Sequence, residues 1–331
     1  MPKVSTITPV LNGVKTIGRS IESAQRQTFK DIEIVVVDDG STDGTADLVR
    51  SYAAQDPRIK LVQHEKNMGG AAASNKAIES ATGEWIAILD ADDWFEPTRI
   101  EDFLKIAEQY PVDAVADNLK LYDHATDEIV DRTYHQKDGR LMMLDTETYI
   151  RRDNPLQRHS LGYIQPMFKK QFVTDHNIKY DVSHRYAYDF IFVAEFLLSG
   201  GKIAIIPEAY YVYVHRISPT TRKRSPHSRS EAGHNMILRG CDELVQKYGA
   251  RMTPPERAAM QQRRYIFESR VICEDMLDAL RDRQLLKAGR ILLGRPFIFV
   301  LIGNTLFKQF YVKTANYWRR IKKLIGIPVH V

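Results

Sequence analysis

Cysteine is scarce in this chain: Cys241 and Cys273 are the only two in 331 residues. They stand far apart, in no Cys-x-x-Cys or Cys/His cluster, which excludes a disulfide scaffold, argues against a structural zinc site and suits a reducing cytoplasm. Long apolar runs are missing too. The stretch 297–307 is apolar but too short to span a bilayer. The start, Met-Pro-Lys, reaches Pro9 and Asn12 within one strand length, which leaves no room for the apolar segment of a secretory signal. Internal repeats and long low-complexity tracts are also lacking. The last acidic residue is Asp282, and from Arg283 to Val331 there are ten Lys/Arg and no Asp/Glu.

What is present is an ordinary globular composition. Hydrophobic residues make up 44%, enough for a sizeable core and too many for global disorder. The formal charge of +5 conceals an asymmetry: residues 1–282 hold 37 basic and 42 acidic residues, a net −5. A basic tail is thus appended to a mildly acidic body. Such a tail suits an anionic lipid surface, nucleic acid or an acidic protein.

The first third alternates two periodicities. Residues 4–8, 32–37, 59–64 and 85–89 are short apolar, β-branched-rich runs that predict strands. Between them, 17–27, 45–54 and 71–81 have helical spacing, with Thr42 or Asp43 as expected N-cap of the second. This rhythm predicts an open, mostly parallel α/β sheet with helices on both faces. Further on, 112–116, 203–206 and 210–214 read as strands. Residues 188–198 read as a helix closed by Gly200-Gly201. Residues 216–235 are rich in Arg, Ser, Thr, Pro and His and read as a mobile loop, with a helical region at 232–295.

Two acidic clusters fall at strand carboxyl ends, where open α/β sheets bind their ligands. Asp90, Asp92 and Asp93 close the fourth strand. Three carboxylates so near one another repel unless a cation, solvent or hydrogen bonds compensate. Asp90 and Asp92 lie on one side of an extended chain, and hard oxygen ligands of this kind suit Mg²⁺ or Mn²⁺ on a diphosphate. Asp92 or Asp93 would equally serve as cap for a helix beginning near Glu96-Pro97. Asp38 and Asp39 close the second strand. A carboxylate there would accept the N3–H of uracil, whereas Asp-Gly is also an ordinary turn dipeptide. Thr8-Pro9-Val10-Leu11-Asn12 ends the first strand. Asn67-Met68-Gly69-Gly70 is a Gly-opened helix start whose amides can meet phosphate.

In combination these segments are specific. The order Pro9…Asn12, Asp38-Asp39-Gly40-Ser41-Thr42-Asp43-Gly44-Thr45, Asn67-x-Gly69…Asn75 and Leu89-Asp90-Ala91-Asp92-Asp93…Pro97 resembles the family 2 glycosyltransferases of the GT-A fold. The resemblance covers roughly residues 3–220 and is closest over the first hundred. It implies that Pro9 and Asn12 frame a nucleotide pocket, with Asp38, Asp39 and Asn67 around the base and phosphates. It further implies that Asp39 meets uracil, that Asp90 faces the ribose or shares a metal, and that Asp92 is the principal ligand of Mn²⁺ or Mg²⁺. Leu11 stands where the family often has an aromatic residue, and Ser74 where it often has Arg.

Members of the family carry an acidic pair at the start of an acceptor-side helix. Tyr188-Asp189 occupies that place here, so Asp189 is the single candidate base. Asp189 would serve alternatively as an N-cap, and Asp181, His184 and Glu195 are nearby fallbacks. His215 and Arg216, ahead of Arg222-Lys223-Arg224, are candidates for neutralising the leaving diphosphate. Tyr163 and Gln165, with Tyr188, are candidates for the acceptor side, while Met167 and Phe168 read as core.

The expectation is therefore a GT-A domain over 1–220, with a nucleotide-binding half at 1–110 and an acceptor half at 111–220. A basic loop and helical C-terminal region follow at 221–331. Its reaction would be an inverting, metal-dependent sugar transfer from a nucleotide diphosphate donor, UDP-linked by Asp39, to a hydroxyl of a glycan or lipid-linked glycan. The product would be a β-glycoside in exopolysaccharide or envelope-glycan assembly. The tail would bind the inner face of the plasma membrane peripherally. Alternatively it packs on the catalytic domain or on a second subunit, which would make a homo-oligomer. Nucleic acid is not an expected partner, since no RNA- or DNA-binding motif accompanies the charge. Two rival functions share the same residues: a metal-dependent nucleotidyltransferase, which would release pyrophosphate, and a degenerate scaffold that binds sugar nucleotide or glycan without turnover.

Overall fold

The computed structural model describes residues 2–124, 126–132, 139–153, 160–185, 187–215, 231–282 and 284. The first elements follow the alternation of the sequence: β1 (Val4–Val10), α1 (Ile17–Gln25), β2 (Ile32–Asp38), α2 (Thr45–Ala53), β3 (Ile59–Gln63), α3 (Gly70–Ser80) and β4 (Trp85–Ile88). Helix α1 buries Ile17, Ser20, Ile21 and Ala24, the i, i+3, i+4, i+7 stripe of a helix lying on a sheet. Strand β2 is buried almost throughout, as a β-branched strand covered on both faces should be.

A two-residue strand β5 (Trp94–Phe95) and α4 (Arg99–Gln109) come next, then β6 (Ala114–Ala116), β7 (Leu119–Asp123), β8 (Glu128–Arg132) and β9 (Met142–Leu144). The chain continues through α5 (Thr146–Arg152), β10 (Met167–Lys169), α6 (Lys170–Asp175) and α7 (Tyr188–Leu198). The last elements described are β11 (Ile203–Ile205), β12 (Tyr211–His215), α8 (Glu231–Tyr248) and α9 (Pro254–Arg281).

Eight strands form the main sheet in the order β3-β2-β1-β4-β10-β6-β11-β9. The pairs β2–β3, β1–β2, β1–β4 and β6–β11 are parallel, whereas β10 runs antiparallel between β4 and β6 and β9 antiparallel along β11. Alternation along β2 divides the core. Val35 and Val37 face the layer that holds α3, α5, α7, α8 and α9, while Ile32, Ile34 and Val36 face the layer of α1, α2 and α4. Helices cover both faces, as expected. A second sheet, β5-β12-β7-β8, stands beside the first.

Strand β1 is flanked by β2 on one side and β4 on the other, so the strand order reverses there. The crevice of such a sheet opens outside the carboxyl ends of the two strands at the reversal. Those ends are Pro9–Asn12 and Leu89–Asp93.

Three local expectations change. The N-cap of α2 is Gly44, in a left-handed conformation, although Asp43 does accept the Thr45 amide at 3.1 Å. Helix α4 starts at Arg99 with Thr98 before it, so neither Asp92 nor Asp93 caps it. Ala187, not Asp189, takes the cap position of α7, at φ 58°, and Asp189 falls in the first turn. The basic segment 216–230 and the tail beyond residue 284 lie outside the described residues.

Candidate active site

The first wall of the crevice is built by two loops joined edge to edge. Asn12, at φ 51°, donates its amide to Ser41 Oγ at 2.8 Å and accepts the Thr42 amide on Oδ1 at 2.9 Å. The Gly13 amide bonds Thr45 Oγ1 at 2.9 Å, and the Val14 amide bonds Asp43 Oδ2 at 3.1 Å. The loop after β1 and the loop after β2 therefore form one surface. Pro9 lies just inside it on β1, opposite Val37.

Asp38 and Asp39 are both buried. Asp38 accepts the Ser41 amide and the Gln63 side-chain amide, each at 3.3 Å. Asp39 is 2% exposed and organises the next loop. Its Oδ1 meets His64 Nδ1 at 2.7 Å and the Met68 amide at 2.9 Å, and its Oδ2 accepts the Gly69 amide at 2.8 Å. Asn67 accepts the same Gly69 amide at 3.0 Å. An ionised carboxylate only accepts, so His64 carries its proton on Nδ1. Gly40 is demanded by this arrangement: at φ 78°, a Cβ would come within 2.7 Å of the Lys66 carbonyl carbon. Asn75 proves to be a brace, exchanging bonds of 2.7 and 2.9 Å with the backbone of Tyr180.

The acidic turn after β4 is held from three sides. Ser20 Oγ donates to the Asp90 carbonyl at 3.3 Å, and Arg19, stacked 3.9 Å over Trp94, donates to the Asp92 carbonyl at 2.8 Å. Asp93 is buried beneath them. Its carboxyl takes the Tyr211 hydroxyl at 2.8 Å and the Val214 amide at 2.7 Å. Burial, then the charges of Asp90 and Asp92, push Asp93 well above the usual carboxylate range. Asp93 is thus a structural acid, and Asp90 and Asp92 are the other two carboxylates of the turn. Two aspartates of like charge close together fit a hard divalent cation.

Across the crevice Asp189 opens α7. Its side chain is reached by solvent. Desolvation there and the charge of Asp90 push its carboxyl up to about 7, and solvent on the open side screens part of the effect. The two acids are therefore within electrostatic reach of each other. The charge of Asp189, burial and the charge of Asp90 raise Tyr188 as well.

The acceptor-side candidates separate. Tyr163 is exposed and packs its ring 5.8 Å from Tyr213. Tyr188 reaches the start of α3: a Cβ on Gly70 would sit 2.9 Å from its hydroxyl. Gln165 bonds the acidic turn itself, its side-chain amide donating to Asp90 Oδ2 at 3.1 Å. His215 ends β12 of the second sheet, paired with Asp123 of β7, and Arg216 lies outside the described residues. Met167 and Phe168 are core, as expected.

Of the fallback bases, Glu195 is buried and paired with Lys247 at 2.7 Å. Asp181 and His184 cluster with Glu243 of α8, with ligand atoms within 4.8 Å of one another, but Glu243 already engages His184 at 2.6 Å and Arg239 at 2.6 Å. Several residues of consequence carried no signal in the sequence: Arg19, His64, Tyr211 and the pair Arg99–Asp117. Each acts through a partner remote in the chain, and no spacing rule reveals such a partner.

Comparison with known proteins bears on this geometry. The family described as Glycosyl transferase family 2 matches residues 5–191. The succinoglycan biosynthesis protein ExoO of Rhizobium meliloti is 35% identical over 216 residues, 64% of this chain and 61% of that protein. ExoU of the same organism is 30% identical over 220 residues, covering 64% and 62%. The chain thus spans about three fifths of the length of these relatives. Among solved structures, S. aureus TarS 1–349 in complex with UDP-GlcNAc superposes with a TM-score of 0.59 at 19% identity, covering 87% of this chain and 90% of that one. The mannosyltransferase PcManGT of Pyrobaculum calidifontis, in complex with GDP-Man and Mn²⁺, gives 0.55 at 20%, covering 94% and 86%. These two share the fold. With the family match running from the second residue of β1 into α7, and so through both walls of the crevice, the chain belongs to glycosyl transferase family 2.

Proposed function

We propose that this protein transfers a sugar from a nucleotide diphosphate donor, UDP-linked, to a hydroxyl of a glycan or lipid-linked glycan, with inversion to a β-glycoside. The observation that carries the reading is the pairing across the crevice. Asp90 and Asp92 lie at the carboxyl end of β4, and Asp189 stands opposite, raised to about 7 in part by the Asp90 charge. A carboxyl raised toward neutrality is suited to take up a proton there.

In this reading Asp189 accepts the proton of the acceptor hydroxyl as its oxygen bonds the anomeric carbon. The bond from that carbon to the diphosphate breaks in the same displacement, and the nucleoside diphosphate leaves with the electron pair. A base near 7 is matched to a hydroxyl proton at neutral pH. Mn²⁺ or Mg²⁺ held by Asp92 and Asp90 would neutralise charge on the diphosphate. Pro9, Asn12, Asp38, Asp39 and Asn67 shape the nucleotide side, with His64 oriented by Asp39. His215 and Arg216 are assigned to the leaving diphosphate.

The names of ExoO and ExoU support a place in exopolysaccharide assembly. The neighbours solved with UDP-GlcNAc or with GDP-Man and Mn²⁺ support a nucleotide sugar and a divalent cation. We assign the catalytic unit to residues 1–220. Helices α8 and α9 pack into the core of the main sheet, and the basic tail 283–331 is assigned to the inner face of the membrane, or to packing on the protein itself or a second copy. No described helix is long and apolar enough to cross a membrane.

The test is nucleoside diphosphate release from a panel of sugar nucleotides, with Mn²⁺ or Mg²⁺ and a lipid-linked saccharide acceptor. Release from one donor that is lost in Asp92→Ala and reduced at least a hundredfold in Asp189→Asn supports the reading. Release unchanged in both variants overturns the assignments, and pyrophosphate release from a nucleoside triphosphate overturns the reaction.

A further inference from the structure

Beneath the acidic turn lies a charge pair that no step of the transfer uses. Arg99, the first residue of α4, and Asp117, just after β6, both have 0% side-chain exposure, with Nη2 3.0 Å from Oδ1. Arg99 Nε donates to both Asp117 oxygens at 3.3 Å, and the guanidinium stacks 4.4 Å from the rings of Phe95 and Phe103. A pair buried so deeply is weak evidence for stability, because desolvation consumes most of the Coulombic gain.

It sends one arm from each partner to the same turn. Arg99 Nη2 donates to the Gln165 carbonyl at 2.5 Å, and Gln165 Nε2 donates to Asp90 Oδ2 at 3.1 Å. Asp117 Oδ2 accepts the amides of Tyr210 and Tyr211, each at 2.9 Å. The Tyr211 hydroxyl accepts the Asp90 amide at 3.1 Å and donates to Asp93. Asp90 is thereby held at its side chain by one arm and at its backbone by the other.

We propose that Gln165 is a positioning residue for the divalent-cation and diphosphate site, its amide orienting the Asp90 carboxylate before cation and donor arrive. The inference rests on the reading of Asp90 and Asp92 as cation ligands. The like charges of Asp90 and Asp92 repel, and the Gln165 amide holds the Asp90 carboxylate in one direction against that repulsion. A Lys or Arg at 165 would tether it but would also occupy the charge the cation needs. The amide of Gln165 is a neutral donor, so it fixes direction and leaves the charge intact. Residues that orient ligands in this way typically influence metal affinity by about 10- to 100-fold.

The experiment measures Mn²⁺ binding directly, by the electron paramagnetic resonance signal of free Mn²⁺ titrated into the full chain with UDP present. Wild type is compared with Gln165→Met, which keeps length and loses the donor, and Gln165→Asn, which keeps the amide but withdraws it by one methylene. Asp90→Asn and Asp92→Asn are the controls, and melting in EDTA checks each fold. The expected result is a Mn²⁺ Kd raised about tenfold in both Gln165 variants. The Mn²⁺ concentration for half-maximal rate should rise in step, while kcat at saturating Mn²⁺ is retained. Wild-type affinity in the Gln165 variants, with binding lost in the two Asp variants, overturns this inference alone. Wild-type affinity in all four overturns the cation reading, and this inference with it.

Discussion

The Arg263 guanidinium of α9 lies 3.5 Å over the ring of Phe190, the residue that follows Asp189. The same guanidinium donates to Asp153 at 2.5 and 3.1 Å and to Cys241 Sγ at 3.0 Å. The helical C-terminal region is thus bonded into the core under the candidate base. Arg263→Leu would strand Asp153 without its partner, and removal of one member of a buried pair costs about 3–5 kcal/mol. We expect a melting temperature lowered by several degrees together with weaker acceptor turnover, read by thermal denaturation and initial rates. An unchanged melting temperature would show that the pair is dispensable.

Asp189 must be ionised to accept a proton. Raised to about 7, its carboxyl is protonated in the acid range, so kcat/KM should fall as pH drops through neutrality, along a single acid limb. A pH–rate profile between pH 5.5 and 8.5 reads this directly. A flat profile would remove Asp189 as the base.

The same raised acid has a consequence for stability. A carboxyl with a folded-state pKa above its ordinary 3.8 binds its proton more tightly folded than unfolded. Its contribution is most favourable below pH 4 and diminishes as pH rises from about 4 to about 7. Asp189→Asn removes that pH-dependent penalty. The variant should therefore melt higher than wild type at pH 7.5 and draw level near pH 4, in calorimetry at the two pH values. A variant that melts lower at both would contradict the assigned environment.

Gly40→Ala tests the donor wall. The left-handed φ of 78° costs a non-glycine residue about 1–2 kcal/mol, and the added Cβ would meet the Lys66 backbone. Displacing Lys66 pulls on the loop that His64, Met68 and Gly69 tie to Asp39. UDP affinity should drop several-fold, measured by calorimetry. Unaltered affinity would mean that this loop does not shape the nucleotide site.

Much of the first hundred residues was legible because the signals there are local. β-branched runs alternate with helical spacing, and turn residues stand at the junctions, so β1 to β4 and α1 to α3 were placed within two residues. The half beyond residue 110 was less so. Strands β9 and β10 are three residues each, and a short strand has no periodicity to detect; its place comes from pairing with β11, β4 and β6. From the sequence Gln165 and Tyr188 read as acceptor-side candidates, and their contacts in space are not legible there. Their partners, Asp90 and Gly70, lie 75 and 118 residues away.

By itself the sequence determined the family, the order of the first strands and which carboxylates end them. These follow from residue type and spacing along one segment. Only the tertiary structure decided what each acid does there. Asp93 is buried against Tyr211 and Val214, Asp39 bonds His64 and the Met68 and Gly69 amides, and the Asp90 carboxylate accepts from Gln165 while its charge reaches Asp189. A carboxylate's role depends on desolvation and on the donors and charges around it, and folding brings those from segments that the linear order keeps apart.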